Sequence, residues 1–225
     1  MLKRLVLCVM TICLFGVTPA QADTVPFAGW YLSAATGLGS GDAEIAAQRG
    51  DFHATLPLGK ATGVTRSLTI GYTVPVERWR FGLSISGGPA TLSGQTRLGS
   101  NRLGLITGVD IDRLGAVRAE LGYVPRDDLF VYAFAGRAIA RGTLSGDTYL
   151  DSRQLAVSRS GYALGTVTGL GVEYRLNTSS THGLFAEVGE YRFDGTVRAC
   201  RQQLCQPATF RTRQVVTSAG VRWRF

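Results

Sequence analysis

The sequence predicts an all-β protein: an eight-stranded antiparallel up-and-down transmembrane β-barrel. Two observations carry this prediction. Segments that alternate between apolar residues and small or charged residues recur along the chain, as expected for strands whose two faces meet different surroundings. The connections between them are in turn short and long, and the long ones are rich in Gly, Ser, Asp and Arg. Short turns at one end and long loops at the other are typical of an up-and-down barrel.

The first 22 residues have the features of a secretory signal peptide. Lys3 and Arg4 precede an apolar stretch over 5–17, and Ala20 and Ala22 form an A-x-A cleavage site. The apolar stretch is shorter than the roughly 18 residues that a membrane-spanning helix needs. We therefore expect residues 1–22 to be removed on export and residues 23–225 to form the barrel.

The mature chain is basic, and its cations are scattered. The formal net charge of +8 falls to +6 once Lys3 and Arg4 are removed. A nucleic-acid-binding protein would gather these charges into a patch or a helix. We therefore expect no nucleic-acid partner, and anionic lipid head groups are the favoured counterpart.

Eight segments have the strand pattern. In order, they are 30–39, 67–74, 79–86, 117–124, 129–136, 166–175, 184–193 and 217–225. The segment 129–136 is apolar on both faces, so its inward side is not determined. In 184–193, turning Tyr191 and Phe193 outward puts Glu190 and Arg192 inward but also Glu187 outward, unless a β-bulge corrects the register.

The connections set the orientation. Short turns are expected at 75–78, 125–128 and 176–183, after Tyr72, Tyr123 and Tyr174, which are spaced 51 residues apart. Long loops are expected at 40–66, 87–115, 141–162 and 194–213. Short turns in such barrels face the periplasm. This predicts three periplasmic turns, four extracellular loops and both termini in the periplasm.

The alternation alone also fits a soluble barrel with an apolar core. Two features favour apolar side chains facing lipid. Aromatic residues gather near the short-turn ends, as in a girdle at a lipid interface: Trp30, Tyr72, Trp79, Tyr123, Tyr174, Trp223 and Phe225. The other face is crowded with Gly and Ser and carries charges of both signs that we expect to pair across the lumen: Arg80, Arg118, Glu120, Glu173, Arg175, Glu190, Arg192, Arg222 and Arg224.

Several stretches resemble the opacity-type porin family, which belongs with the outer membrane protein A-like eight-stranded barrels of Gram-negative outer membranes. They are "FAGWYLSAATG", "VRAELGYVPRDDLFVYAFAGRA", "GLGVEYRLN", "VGEYRFDG" and the terminal "GVRWRF". The long loops match nothing specific, and Arg137 and Glu187 depart from the apolar face of the family. The resemblance implies that the last strand, through Val221, Trp223 and Phe225, is the signal read by the barrel assembly machinery.

The residues give little support for catalysis. His53 and His182 fall on opposite sides of the expected membrane, and neither is in the His-x-Ser motif of lipid A deacylases, which are barrels of similar size. We expect no enzyme activity, no cofactor and no metal. Haem capture by His53 or Tyr149 remains an alternative that no spacing supports.

Cys200 and Cys205 are the only cysteines of the mature chain. A metal site would need more ligands, and the 194–213 segment contains no His. In an exported protein this pair predicts a disulfide, which would hold Arg198 and Arg201 outward. Their partner is either anionic lipopolysaccharide or solvent.

The sequence therefore predicts a structural or surface protein of the outer membrane with a filled lumen and loops displayed outside, where they can meet a host or surface ligand. A narrow pore or a ligand-binding receptor is the alternative. A lipid A-modifying enzyme ranks below both.

Overall fold

The computed structural model describes residues 25–49, 52–99, 103–150, 153–176, 181–201 and 204–225. Eight strands occupy these ranges: β1 Gly29–Arg49, β2 Phe52–Val76, β3 Trp79–Gly99, β4 Leu103–Arg126, β5 Leu129–Leu150, β6 Arg153–Arg175, β7 His182–Arg201 and β8 Leu204–Arg224. Each strand pairs antiparallel with the next, and β1 also pairs with β8, so the barrel is closed. The predicted fold class is confirmed. The predicted signal peptide lies outside the described residues.

The outer wall of the barrel is apolar. Large side chains on every strand point away from the interior, and Leu83 and Leu170 are 66% and 61% exposed. A soluble monomer rarely exposes a continuous apolar surface of this extent. A closed barrel with an apolar wall suits hydrocarbon because it has no unpaired edge strand. The described residues contain no helix that is long and apolar enough to span a membrane.

Aromatic pairs mark the short-turn end of this wall. The rings of Trp30 and Tyr72 lie 5.1 Å apart across β1 and β2, and those of Trp79 and Tyr123 lie 5.2 Å apart across β3 and β4. At this end of the barrel, two-residue connections join β2 to β3 and β4 to β5. These pairs stand where the girdle was expected.

At the other end, the strands extend far beyond the wall. Their lengths run from 20 to 25 residues, whereas a spanning strand needs about 9–11. The segments expected to be long loops are therefore mostly paired hairpin strands. Gly, Ser and Asp have low β-propensity, but that preference is weak when cross-strand hydrogen bonds are available.

The structure settles the two ambiguous strands. In β5, Phe130, Tyr132 and Phe134 point inward. In β7, the inward side chains are those of Phe185, Glu187, Tyr191 and Phe193.

The expectation that Glu190 and Arg192 face the lumen is wrong. Both lie on the outer face, where Glu190 is paired with Arg192 and, at 2.7 Å, with Arg213. The aromatic residues of β7 point into the lumen rather than toward the outside. Inward and outward positions along β7 are therefore exchanged relative to the expectation.

Candidate functional site

The candidate site is the lumen on the short-turn side of the barrel. Four strands contribute its charged network, and each residue occupies an inward position of the period-two pattern. These residues are Arg118 and Glu120 of β4, Glu173 of β6, Glu187 of β7, and Arg222 and Arg224 of β8. They supply three guanidinium groups and three carboxylates, so the charges of the network balance.

Glu173 is the node nearest the short turns. Its carboxylate accepts hydrogen bonds from Arg222 Nη1 at 2.9 Å and from Arg224 Nε and Nη2 at 3.0 and 2.7 Å. Arg224 Nη1 also donates to the carbonyl of Phe27 and to Thr73 Oγ1. Side-chain exposure is 1% for Glu173 and 0% for Arg222, so this ion pair is shielded from water and highly sensitive to loss of one partner.

Glu187 is the second node. It accepts from Arg118 Nη1 at 2.8 Å, from the Tyr132 hydroxyl at 2.7 Å and from Arg222 Nη2 at 3.3 Å. Arg222 therefore bridges two carboxylates from different strands. The bridge ties β8 to both β6 and β7 through the interior of the barrel.

Glu120 completes the network. Its Oε1 accepts from the Tyr31 hydroxyl at 2.7 Å and from Ser84 Oγ at 2.6 Å, and Arg118 Nη2 lies 3.4 Å away. Tyr31 belongs to β1 and Ser84 to β3. Because Tyr132 of β5 and Thr73 of β2 contact Glu187 and Arg224, all eight strands touch the network through a side chain.

Aromatic rings fill the space between these charges. Phe130 stacks on Phe27 at 5.4 Å and on Tyr132 at 4.9 Å, and Phe134 follows Tyr132 at 6.5 Å. The Arg118 guanidinium lies 4.6 Å from the centre of the Phe134 ring. Arg222 likewise lies 4.3 Å from the ring of Tyr31 and 4.7 Å from that of Phe185, within the range of cation–π attraction.

The segment before β1 enters this site as a plug. Phe27 is 1% exposed, and its φ of 62° is in the left-handed region, which costs about 1–2 kcal/mol for a residue with a Cβ. Its carbonyl accepts from Thr73 Oγ1 at 2.6 Å and from Arg224 Nη1 at 2.9 Å. Arg80 Nε donates to the Pro26 carbonyl at 2.8 Å. These contacts offset the backbone strain and hold Phe27 in the lumen.

A small polar cavity lies next to the network, on the side away from the short turns. Its volume is about 40 Å³, and Arg118, Glu187 and several hydroxyl side chains line it, among them Thr69, Ser86 and Ser218. A single water needs about 10–15 Å³ on such a measure. The cavity can hold a few water molecules. The charged network closes it on the short-turn side.

The structure places six residues of the expected lumen set inside the barrel and separates the others. The six buried residues are Arg80, Arg118, Glu120, Glu173, Arg222 and Arg224. Arg80, however, binds backbone carbonyls rather than a carboxylate.

The remaining members of that set have other positions. Arg175 is half-buried, with its guanidinium 5.7 Å from the Phe27 ring, and Glu190 and Arg192 are outside. Glu187 was missed because the parity of β7 was read from its aromatic residues. Both faces of β7 carry apolar residues, such as Phe185 inside and Leu184 outside, so hydrophobicity gives no signal for the side of Glu187.

The other predicted sites are described only in part. Val221 and Trp223 are half-buried on the outer face of β8, and Phe225 is exposed. The backbone register places Cys200 directly opposite Cys205 across the β7–β8 hairpin, but their side chains lie outside the described residues, as do Ala20 and Ala22.

The histidines occupy opposite ends of the barrel. His182 begins β7 at the short-turn end, whereas His53 lies near the far end of β2. Within the described ranges, no three His, Cys, Asp or Glu side chains are grouped to hold a metal ion.

No protein-family model matches the chain, and no curated protein matches it. Solved structures do. The outer membrane protein OprG from Pseudomonas aeruginosa is 12% identical, with 89% of this chain and 98% of that chain covered and a TM-score of 0.52. The outer membrane protease OmpT from Escherichia coli is 8% identical, with 88% and 97% covered and a TM-score of 0.50. The chain thus has the fold of outer-membrane β-barrels.

Proposed function

We propose that the protein is a non-conducting surface protein of the Gram-negative outer membrane, which closes its lumen on the short-turn side and displays long β-hairpins outside the cell. The observation that carries the proposal is the filled lumen. The Glu173–Arg222–Arg224 cluster and the Phe27 stack occupy the same level of the barrel, and eight strands leave an interior only wide enough for side chains.

The proposed orientation follows from the strands. The wall with its aromatic pairs adjoins the short turns, and the strand extensions lie at the other end. In barrels of this kind the short turns face the periplasm and the long connections face outward. Both termini would then be periplasmic, and the hairpins would present their tips to the surroundings, where a host or surface ligand is the proposed partner.

A conductance measurement tests the closed lumen. Folded wild-type protein in planar bilayers should show little or no steady current. A matched variant, Phe27→Ala, removes the plug ring and leaves the ion pairs in place, so we expect brief openings above the wild-type background. A large, stable conductance of the wild-type protein would refute the closed lumen and favour the narrow pore.

An epitope tag tests the orientation. A tag placed between Asp127 and Asp128, in the β4–β5 turn, should be inaccessible to antibody on intact cells and accessible after the outer membrane is permeabilised. Labelling of the tag on intact cells would reverse the proposed orientation.

A further inference from the structure

The outer wall has a recess where two adjacent strands, β3 and β4, lack large side chains. On β3, the outward positions after Ile85 are Gly87 and Pro89, and Gly87 pairs with Gly115 of β4. The pairing of β2 with β3 is also interrupted here, since between Thr62 and Leu68 only Thr65 has a partner in the register. The wall is therefore bare at a level where the neighbouring strands carry leucine and isoleucine.

Two grooves flank this bare strand, each of about 470 Å³. The first lies over β8, β1 and β2 and contains small or apolar side chains. Trp223 is at the end nearer the short turns, and Arg66 is near the opposite end. The second lies over β4, β5 and β6 and contains Ile139 and Tyr162 with Arg113 and Arg141. Each volume is within the range of small-molecule sites.

The cations of these grooves have few acidic partners in the described part of the chain. Among the described residues, no carboxylate lies within ion-pair distance of Arg66 or Arg113, and Arg141 has only a long contact of 3.6 Å to Asp112. By contrast, Arg192 and Arg213 both pair with Glu190, Arg213 at 2.7 Å. Charges at a lipid surface that lack a protein partner attract anionic head groups.

The register places these cations on both sides of one strand. Pro89 pairs with Arg113, and Arg113 pairs with Arg141, while Arg66 follows Thr65, the partner of Ala90. Neighbouring strands lie about 4.8 Å apart. The backbones of Arg66 and Arg113, on either side of β3, are therefore about 10 Å apart. One head group with two anionic ends can reach both, with acyl chains entering the groove on each side.

We propose that this recess binds one molecule of a diphosphorylated, multiply acylated glycolipid of the outer leaflet. Arg66 binds one phosphate, Arg113 and Arg141 bind the other, and acyl chains lie in the two grooves on either side of Gly87 and Pro89. The proposal rests on the proposed orientation, because that orientation puts the arginines on the outer-leaflet side of the wall. A two-chain phospholipid with a single phosphate would leave one cationic side unfilled.

Binding is tested on the full-length folded protein in neutral detergent, with lipid A as the probe and native mass spectrometry as the readout. Wild type should retain lipid A at one molecule per barrel. Arg66→Gln/Arg113→Gln should bind at least tenfold more weakly. Arg192→Gln is the matched control, since Glu190 keeps Arg213 as its partner, and it should bind like wild type.

A second variant tests the acyl-chain grooves without changing the charge. A Cβ at Gly87 would meet only the Leu114 carbonyl oxygen at 3.9 Å, so Gly87→Leu fits the wall and fills the space shared by both grooves. We expect it to fold, as judged by heat-modifiable mobility, and to lose lipid A binding at least tenfold. Binding that is unchanged in this folded variant would overturn the proposal.

Competition identifies the class of lipid. Phosphatidylglycerol at equal charge should fail to displace lipid A from wild type. Equal displacement, or unchanged lipid A binding by the double arginine variant, would overturn the glycolipid site. These measurements use the purified barrel, so a negative result would not contradict the closed lumen. Steady conductance, or antibody access to the β4–β5 turn on intact cells, would instead contradict the proposed function.

Discussion

Glu173 offers the sharpest test of how the lumen is held together. Its carboxylate receives three charged hydrogen bonds, one from Arg222 and two from Arg224. When Glu173 is replaced by Gln, Arg222 keeps the Glu187 carboxylate at 3.3 Å, but Arg224 keeps only neutral acceptors, among them the Phe27 carbonyl and Thr73. One guanidinium is then buried without a carboxylate.

The expected cost follows from that count. Removing one partner of a buried ion pair costs about 3–5 kcal/mol, and Gln preserves the shape and one acceptor oxygen, so we expect the lower end, about 3 kcal/mol. With a urea dependence of about 1–3 kcal/mol per molar, the unfolding midpoint should fall by about 1–3 M. Arg224→Gln together with Glu173→Gln should recover part of the loss, because the double variant buries no unpaired charge.

Urea unfolding in lipid vesicles, followed by tryptophan fluorescence, measures this change. Trp30, Trp79 and Trp223 all lie near the short-turn end of the wall, so the probe reports the region of the network. Glu190→Gln is the control, because Glu190 pairs on the outside of the barrel, and its midpoint should match wild type. A Glu173→Gln midpoint equal to wild type, or a double variant whose midpoint is no higher than that of Glu173→Gln alone, would refute the reasoning.

Three further predictions concern Phe225, the cysteine pair and the signal peptide. Deleting Phe225 should lower the amount of heat-modifiable barrel in the outer membrane and leave protein in the periplasm; unchanged membrane levels would show that Phe225 is no part of an assembly signal. Mass spectrometry of non-reduced, alkylated protein from the outer membrane should find no alkylated Cys200 or Cys205, since opposite positions of a hairpin are close enough for a disulfide; alkylation of both would contradict it. Amino-terminal sequencing of the mature protein should begin at Asp23, and retention of residues 1–22 would contradict the signal peptide.

The outward face of the barrel could be predicted from the sequence because hydrocarbon imposes one rule on every strand. Alternation identified Leu68, Leu83 and Leu170 as outward, and all three are exposed on the wall. The rule requires only that every second side chain be apolar, so it does not depend on how the lumen is filled. The same rule turned Arg80, Arg118 and Glu173 inward.

The rule fails where the interior is also apolar. Phe130, Tyr132 and Phe193 are buried in the lumen, so hydrophobicity no longer distinguishes the two faces of β5 and β7. For that reason the sequence places Glu187 outward unless a β-bulge corrects the register. The plug formed by Phe27 was not predictable either, because it depends on carbonyl acceptors meeting Arg80 and Arg224, which are 53 or more positions further along the chain.

Residues 221–225 face two surfaces at once. Val221, Trp223 and Phe225 face outward, where the proposed assembly signal would be read, whereas Arg222 and Arg224 face inward. The inward pair reaches Glu173, Glu187 and the Phe27 carbonyl, so the charged network is complete only when β8 has joined both β7 and β1. Before that closure, Glu173 lacks both of its cationic partners and costs free energy if buried. Filling of the lumen and closing of the β1–β8 seam are therefore coupled, and the same strand that carries the proposed recognition face supplies the contacts that stabilise the closed barrel.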